Sequence, residues 1–234
     1  MGDVTDEQRK AAVKATPAFR RNKAHTVYLL ADGKRVPGTT TITGLLDRSR
    51  YLIPWANNLG LQGINASDYR DSMAGIGTLA HAMAQGELSG QPISEDLTEY
   101  SMKEISLAEN AMIKFLDWRK AHDFKPILIE KPLVSEQHRY GGTIDAYGML
   151  DGAFTLIDLK TSGRLYDDMK YQLAAYRQLL VENGYPVDNA RIVRIGRDES
   201  EGFEEQIFGG LDNAWQVFWH LRQVYELTKK TGGE

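Results

Sequence analysis

The spacing of apolar positions changes its period along this chain, and the change divides it into a helical first part and a mixed second part. Residues 25–30, HTVYLL, followed by ADGKR and VPGTTTITGLL, predict a short hairpin with its turn at Asp32-Gly33. For 39–46 the alternative is a loop capping a helix that begins near Thr43. Over 50–63 the apolar residues Leu52, Trp55, Leu59 and Leu61 give a weak helical signal. Residues 67–86 predict a helix, with Met73, Ile76, Leu79, Ala80 and Met83 on one side and Ser67-Asp68 as its cap. Residues 87–97, containing Gly90 and Pro92, read as a loop. A long amphipathic helix follows over 99–121, where Met102, Ile105, Met112, Phe115, Leu116 and Trp118 recur at helical spacing.

From there the period shortens. PILIEKPLV (126–134), YGGTIDAYGML (140–150) and AFTLIDLK (153–160) read as three strands, with Asp151-Gly152 as the tight turn between the last two. A helix over 167–183 stops at Gly184 and Pro186. ARIVRIGR (190–197) and GFEEQIF (202–208) read as a fourth and a fifth strand. The C-terminal helix, 211–230, carries Leu211, Trp215, Phe218, Leu221 and Leu227 ahead of a polar tail. Three meandering strands and a crossover helix predict an α/β fold of the α+β kind, a mixed sheet with helices packed on it. With 234 residues and 42% hydrophobic content, one domain is expected over 1–234. Its parts are an N-terminal elaboration (1–98), a core (99–210) and a C-terminal helix and tail (211–234).

Composition mostly excludes. No run of 18 apolar residues suggests a membrane span, and the charged N-terminus MGDVTDEQRKAAVK lacks a signal core, so a cytoplasmic setting is expected. The absence of cysteine removes disulfides, thiolate-held zinc, iron–sulfur clusters and a cysteine nucleophile. The net charge of −4, from 28 basic against 32 acidic residues, argues against nonspecific coating of nucleic acid. It leaves room for a local basic groove beside a metal site.

The chemistry concentrates in Gly141–Lys160. Asp158 and Lys160, two apart on a strand, share a face, while Ile157 and Leu159 point the other way. Taken alone, the pair reads as a salt-bridged strand end. The turn at Asp151-Gly152 brings Asp145 opposite or beside Asp158. Two close carboxylates repel unless protonated or bridged by a cation, and oxygen ligands suit magnesium or manganese. The alternative is two solvent-facing acids on a hairpin. Gly141, Gly142 and Gly148 let a backbone or ligand approach. His81, in GIGTLAHAM, lies on a helix whose Gly75, Gly77, Ala80 and Ala82 allow tight packing. Alone it reads as a core or surface histidine. Glu130, mid-strand, suits a supporting base, a ligand of a second metal or a solvent-facing position. Gln172 and Tyr176, four apart, share a helix face with Tyr171 and Arg177 nearby. They suit phosphate binding, orientation of Lys160, or the edge of a core.

Taken together these motifs resemble the PD-(D/E)XK nuclease superfamily, in its RecB-like exonuclease branch. The resemblance rests on GTLAH around His81, on Glu130, and on GGTIDAYG with Asp145. It continues through IDLKTS, with Asp158, Lys160 and Thr161, and QLAAY, with Gln172 and Tyr176. The segment DGKRVPGTTTITGLL is similar to one found ahead of the histidine helix in phage-encoded members. The resemblance covers roughly residues 26–197, and the helix, three-strand, helix, strand order agrees with that superfamily's core.

The resemblance implies His81, Asp145, Asp158 and the Leu159 carbonyl as ligands of one or two Mg2+ or Mn2+ ions, with Glu130 completing the shell or serving the second. It implies Lys160 orienting or deprotonating the attacking water, or stabilising charge on phosphate. Arg139, Arg164, Lys170 and Arg177 cluster in sequence around the site and suit contacts to the DNA backbone, and Tyr140, Tyr147 and Tyr166 suit stacking on bases of a frayed end; the alternative for all of them is a solvated surface. The iron–sulfur sub-branch is excluded by the lack of cysteine, and no helicase motif is present. The expected activity is a metal-dependent deoxyribonuclease, an exonuclease on linear DNA in recombination, repair or DNA processing. Its expected partners are DNA and a single-strand-annealing or single-strand-binding recombination protein, and homo-oligomers are known in the superfamily. Alternatives are an endonuclease of the same fold, a catalytically silent DNA-binding recombination partner, and a protein that binds calcium structurally.

Overall fold

The computed structural model describes residues 26–231. The charged N-terminal stretch, His25 and the end of the polar tail lie outside them. A small hairpin pairs β1 (Tyr28–Leu29) with β2 (Arg35–Val36) around the predicted turn, where Gly33 takes a φ of +79°. Three helices follow: α1 (Thr39–Thr43), α2 (Ser49–Leu61) and α3 (Ala66–Ser89). Helix α1 starts at Thr39 and not near Thr43, because Thr39 turns inward and its hydroxyl donates to the Gly141 carbonyl at 2.9 Å. Helix α3 is capped by Asn65, whose side chain accepts from the amides of Ser67 and Asp68; the cap expected at Ser67-Asp68 therefore lies two residues too late. α3 also runs into the predicted loop and ends where Gly90 adopts the left-handed conformation. Helix α4 (Met102–Ala121) begins with a capping box between Ser101 and Glu104.

The sheet then forms from β3 (Phe124–Ser135), β4 (Tyr140–Leu150), β5 (Ala153–Lys160), β6 (Asn189–Ile195) and β7 (Phe203–Phe208), in spatial order β3-β4-β5-β6-β7. Helix α5 (Asp167–Glu182) makes the crossover that lets β6 lie parallel to β5; the other pairs are antiparallel. Helix α6 (Asp212–Thr231) closes the chain. This is the mixed α/β sheet that the sequence predicts.

Helices cover both faces. On one side, α1, α5 and α6 bury Ile42, Leu173, Leu179 and Phe218 against Ile144, Tyr147 and Ile192. On the other, α3 and α4 bury Ile76, Leu79, Phe115 and Trp118 against Ala146, Ile157, Leu159 and Val193. Two expected base-stacking residues are absorbed by this packing. Tyr140 and Tyr147 have no exposed side-chain surface, and their hydroxyls donate to the carbonyls of Ala175 and Pro186. They are core residues, because a strand covered on both faces has no solvent side for either parity. Among the described residues, no helix is long and apolar enough to cross a membrane.

Candidate metal centre

The two-residue turn sets the register. Leu150 pairs with Ala153 and Ala146 with Ile157, which carries Asp145 directly across from Asp158. On the other edge of β4, Ile129 pairs with Ala146 and Lys131 with Ile144, so Glu130 lies across from Asp145. Three carboxylates therefore stand in one row over three strands. Neither neighbour of Asp145 in this row is a regular ladder partner. Side-chain alternation also slips here: Ile144 and Tyr147 pack under α5 and α6, whereas Ala146 packs under α3 and α4. Glu130 sits at a φ of +46°, a left-handed conformation that costs a non-glycine residue about 1–3 kcal/mol.

This distortion gathers the acids. One oxygen of Asp145, Oδ2, accepts the Leu159 amide at 2.9 Å and lies 3.9 Å from Nδ1 of His81. His81, Glu130 and Asp145 each offer a donor atom, all within 4.8 Å of one another. Lys160 Nζ is 2.6 Å from Asp158 Oδ2. The Lys160 ammonium is the ion-pair partner of the buried Asp158, whose oxygens accept no other hydrogen bond among the described residues. Buried carboxylate oxygens in that state favour a cation. Burial pushes the Asp158 carboxyl up to about 6, against the pull of Lys160 and helped by Asp145. Burial likewise raises Asp145, opposed by Lys160 and the Leu159 amide. For Lys160, burial lowers the pKa, but the two aspartates outweigh it and the net direction is up. The grouped donors, one imidazole and two carboxylates, could hold a metal ion, and without thiolates no iron–sulfur cluster can form.

The surrounding residues are placed unevenly. Gln172 donates to the Tyr176 hydroxyl at 2.8 Å, on the expected shared face. Tyr176 is buried near both aspartates, and burial first, then their charges, raises its pKa well above normal. The β4 glycines admit protein: a Cβ at Gly142 would fall 2.5 Å from Tyr176 Cε1. Arg164 lies in the segment after β5, stacked on the exposed Tyr166. Lys170 pairs with Asp167 at 3.1 Å. Arg177 faces Asp212 of α6 at 3.8 Å. Arg139 occupies the β3–β4 turn at a φ of +57°, where its carbonyl accepts from Arg222 of α6 at 3.0 Å. Sequence reading passed over Tyr28, whose hydroxyl bonds Thr143 Oγ1 at 2.9 Å, and Arg48, which pairs with Asp168. The Tyr28 contact spans strands far apart in sequence and leaves no local signal.

Thr161 links the histidine helix to the strand that carries Lys160. A Cβ at Gly77 would fall 2.8 Å from Thr161 Oγ1. In an ordinary helix Gly→Ala gains about 1 kcal/mol; here overpacking of about 1–3 kcal/mol opposes it. We therefore expect Gly77→Ala to leave the urea midpoint near or below wild type. The shift of α3 should also slow any metal-dependent reaction by about tenfold, since misplacement by about 1 Å can cost about a hundredfold. An unchanged rate would show that this contact does not set the position of His81.

No family model matches the chain, and no curated protein matches it. Among solved structures, one described as the crystal structure of SSO0001 is similar at 16% identity and a TM-score of 0.29, covering 62% of this chain and 71% of that one.

Proposed function

We propose that the chain is a metal-dependent deoxyribonuclease of the PD-(D/E)XK superfamily, in its RecB-like branch, acting as an exonuclease on linear DNA. The observation that carries this reading is the row Glu130–Asp145–Asp158 with Lys160 Nζ 2.6 Å from Asp158 and His81 beside Asp145. His81, Glu130 and Asp145 would hold a divalent ion, joined by Asp158 and the Leu159 carbonyl. Such an ion, when bound, polarises a phosphate and lowers the pKa of water. Lys160 brings a positive charge to the same point, where it orients the attacking water and stabilises charge developing on the phosphate. The Leu159 amide anchors Asp145 through the same oxygen, Oδ2, that lies near His81. The Gln172–Tyr176 pair braces the α5 side of the row.

The test is degradation of linear and covalently closed circular DNA with magnesium and with manganese, using wild type and Asp145→Asn. Wild type is expected to consume the linear form and spare the circle, and Asp145→Asn to lose at least a hundredfold in rate (on the order of the loss expected when charge stabilisation is removed). Equal cutting of both forms by wild type turns the assignment to an endonuclease. Ion binding in a calorimeter with no cleavage turns it to a silent DNA-binding protein.

A further inference from the structure

Helix α2 buries little of itself. Of its thirteen residues Leu59 is the buried one, while Tyr51, Leu52, Ile53 and Leu61 are exposed. Two contacts nevertheless fix its course. Arg48, its N-cap, pairs with Asp168 in the first turn of α5, and Trp55 meets Tyr69 of α3 edge-on at 6.2 Å. Helices α5 and α3 lie on opposite faces of the sheet. A helix tied to both must cross the end of the sheet. The tie at Asp168 puts that crossing beside the end of β5, because only the short 161–166 segment separates Lys160, the last residue of β5, from the first turn of α5.

At this crossing cations and rings alternate. Arg50 lies over Tyr51 at 5.2 Å, Arg164 over Tyr51 at 5.5 Å and Arg164 over Tyr166 at 4.8 Å. The neighbouring Arg48 and Lys170 are paired with Asp168 and Asp167. Arg50 and Arg164 instead engage aromatic faces and form no ion pair among the described residues, so their charges stay available to an anion. Tyr51 and Tyr166 are 49% and 39% exposed, enough to present ring surface. Guanidinium and ring planes offered side by side, with unneutralised charge, match a strand whose phosphates and base faces are both accessible. A duplex hides its base faces in the stack; a single strand does not.

We propose that α2 and the 161–166 segment form an arch that holds a single-stranded DNA end over the metal centre, with Tyr51 and Tyr166 stacking bases and Arg50 and Arg164 meeting phosphates. This rests on the nuclease reading for its destination, but the binding itself is measured without cleavage. The arch assigns the substrate as an unpaired end, and it brings in Arg50 and Tyr51, which lie far in sequence from the acids.

The test uses the full chain in EDTA and fluorescence anisotropy of a labelled oligothymidine and a blunt duplex of equal length. Wild type is expected to prefer the single strand by at least about tenfold. Tyr51→Ala should weaken single-strand binding by about tenfold, in the range expected for the loss of one stacked base, with little change on the duplex. Tyr51→Phe should retain most of the affinity, which separates stacking from a folding defect. Arg50→Ala should lower the steepness of the salt dependence by about one phosphate contact. Equal affinity of wild type for both DNAs, or unchanged single-strand binding by Tyr51→Ala, overturns the arch. Hydrolysis of bis(p-nitrophenyl) phosphate by wild type with manganese reports the metal centre alone. Its absence, together with intact single-strand preference, would bring down the nuclease reading and leave the arch standing.

Discussion

Lys160→Met is expected to lower DNA cleavage by about a hundredfold to ten-thousandfold, the range for losing a proton-transfer or charge-stabilising group at a reacting centre. The substitution keeps an unbranched side chain and removes the one charge that stands 2.6 Å from Asp158. It also leaves two buried aspartates without their cation. Removing one partner of a buried pair costs about 3–5 kcal/mol, so the variant should unfold at markedly lower urea in EDTA. A divalent ion should return part of that stability, because the carboxylates then regain a positive neighbour. This pattern of lost activity, lost metal-free stability and retained ion response separates a chemical role from collapse of the site. Cleavage at the wild-type rate would end the assignment of Lys160.

The second large effect is on heat stability. An ion that binds the folded chain at a hundred times its Kd adds about 2.7 kcal/mol. In a chain of this size that corresponds to roughly 5–10 °C in Tm. Magnesium or manganese should produce this shift in wild type, and Asp145→Asn, Glu130→Gln and His81→Ala should each reduce it. The shift should depend on pH. Asp158 has its pKa raised from 3.8 to about 6 in the fold, so it folds more favourably when protonated. Its contribution is complete below about 4 and is lost as pH rises through about 6. Metal-free protein should therefore soften over that window, while the ion-dependent gain grows, since ligands bind deprotonated. Differential scanning fluorimetry from pH 4 to 8 with EDTA, magnesium, manganese and calcium reads all of this. No shift with magnesium or manganese sinks the metal centre as drawn, and a response to calcium alone moves it to structural calcium binding.

The placement of the acids was legible because a tight turn at Asp151-Gly152 leaves little freedom of register: once Leu150 faces Ala153, Asp145 must face Asp158. The element order followed from the change of apolar period. The contribution of Glu130 was harder to read. Its donor lies with those of His81 and Asp145, while Asp158 is engaged by Lys160. That grouping depends on a left-handed residue and on a slip of alternation at Asp145, neither of which a period-two pattern carries. Tyr140 and Tyr147, expected to stack on bases, are core residues because helices close both faces of the sheet.

Glu130 is held at a backbone angle that glycine would adopt freely. Most changes at a metal ligand threaten the fold as well as the chemistry; this one sets the two against each other. In the metal-free protein, glycine there would relieve strain and remove a carboxylate from a crowded row of negative charge, at the expense of the proposed site. A search for thermostable variants scored on metal-free melting alone would discard the residue that gives the row its third acid.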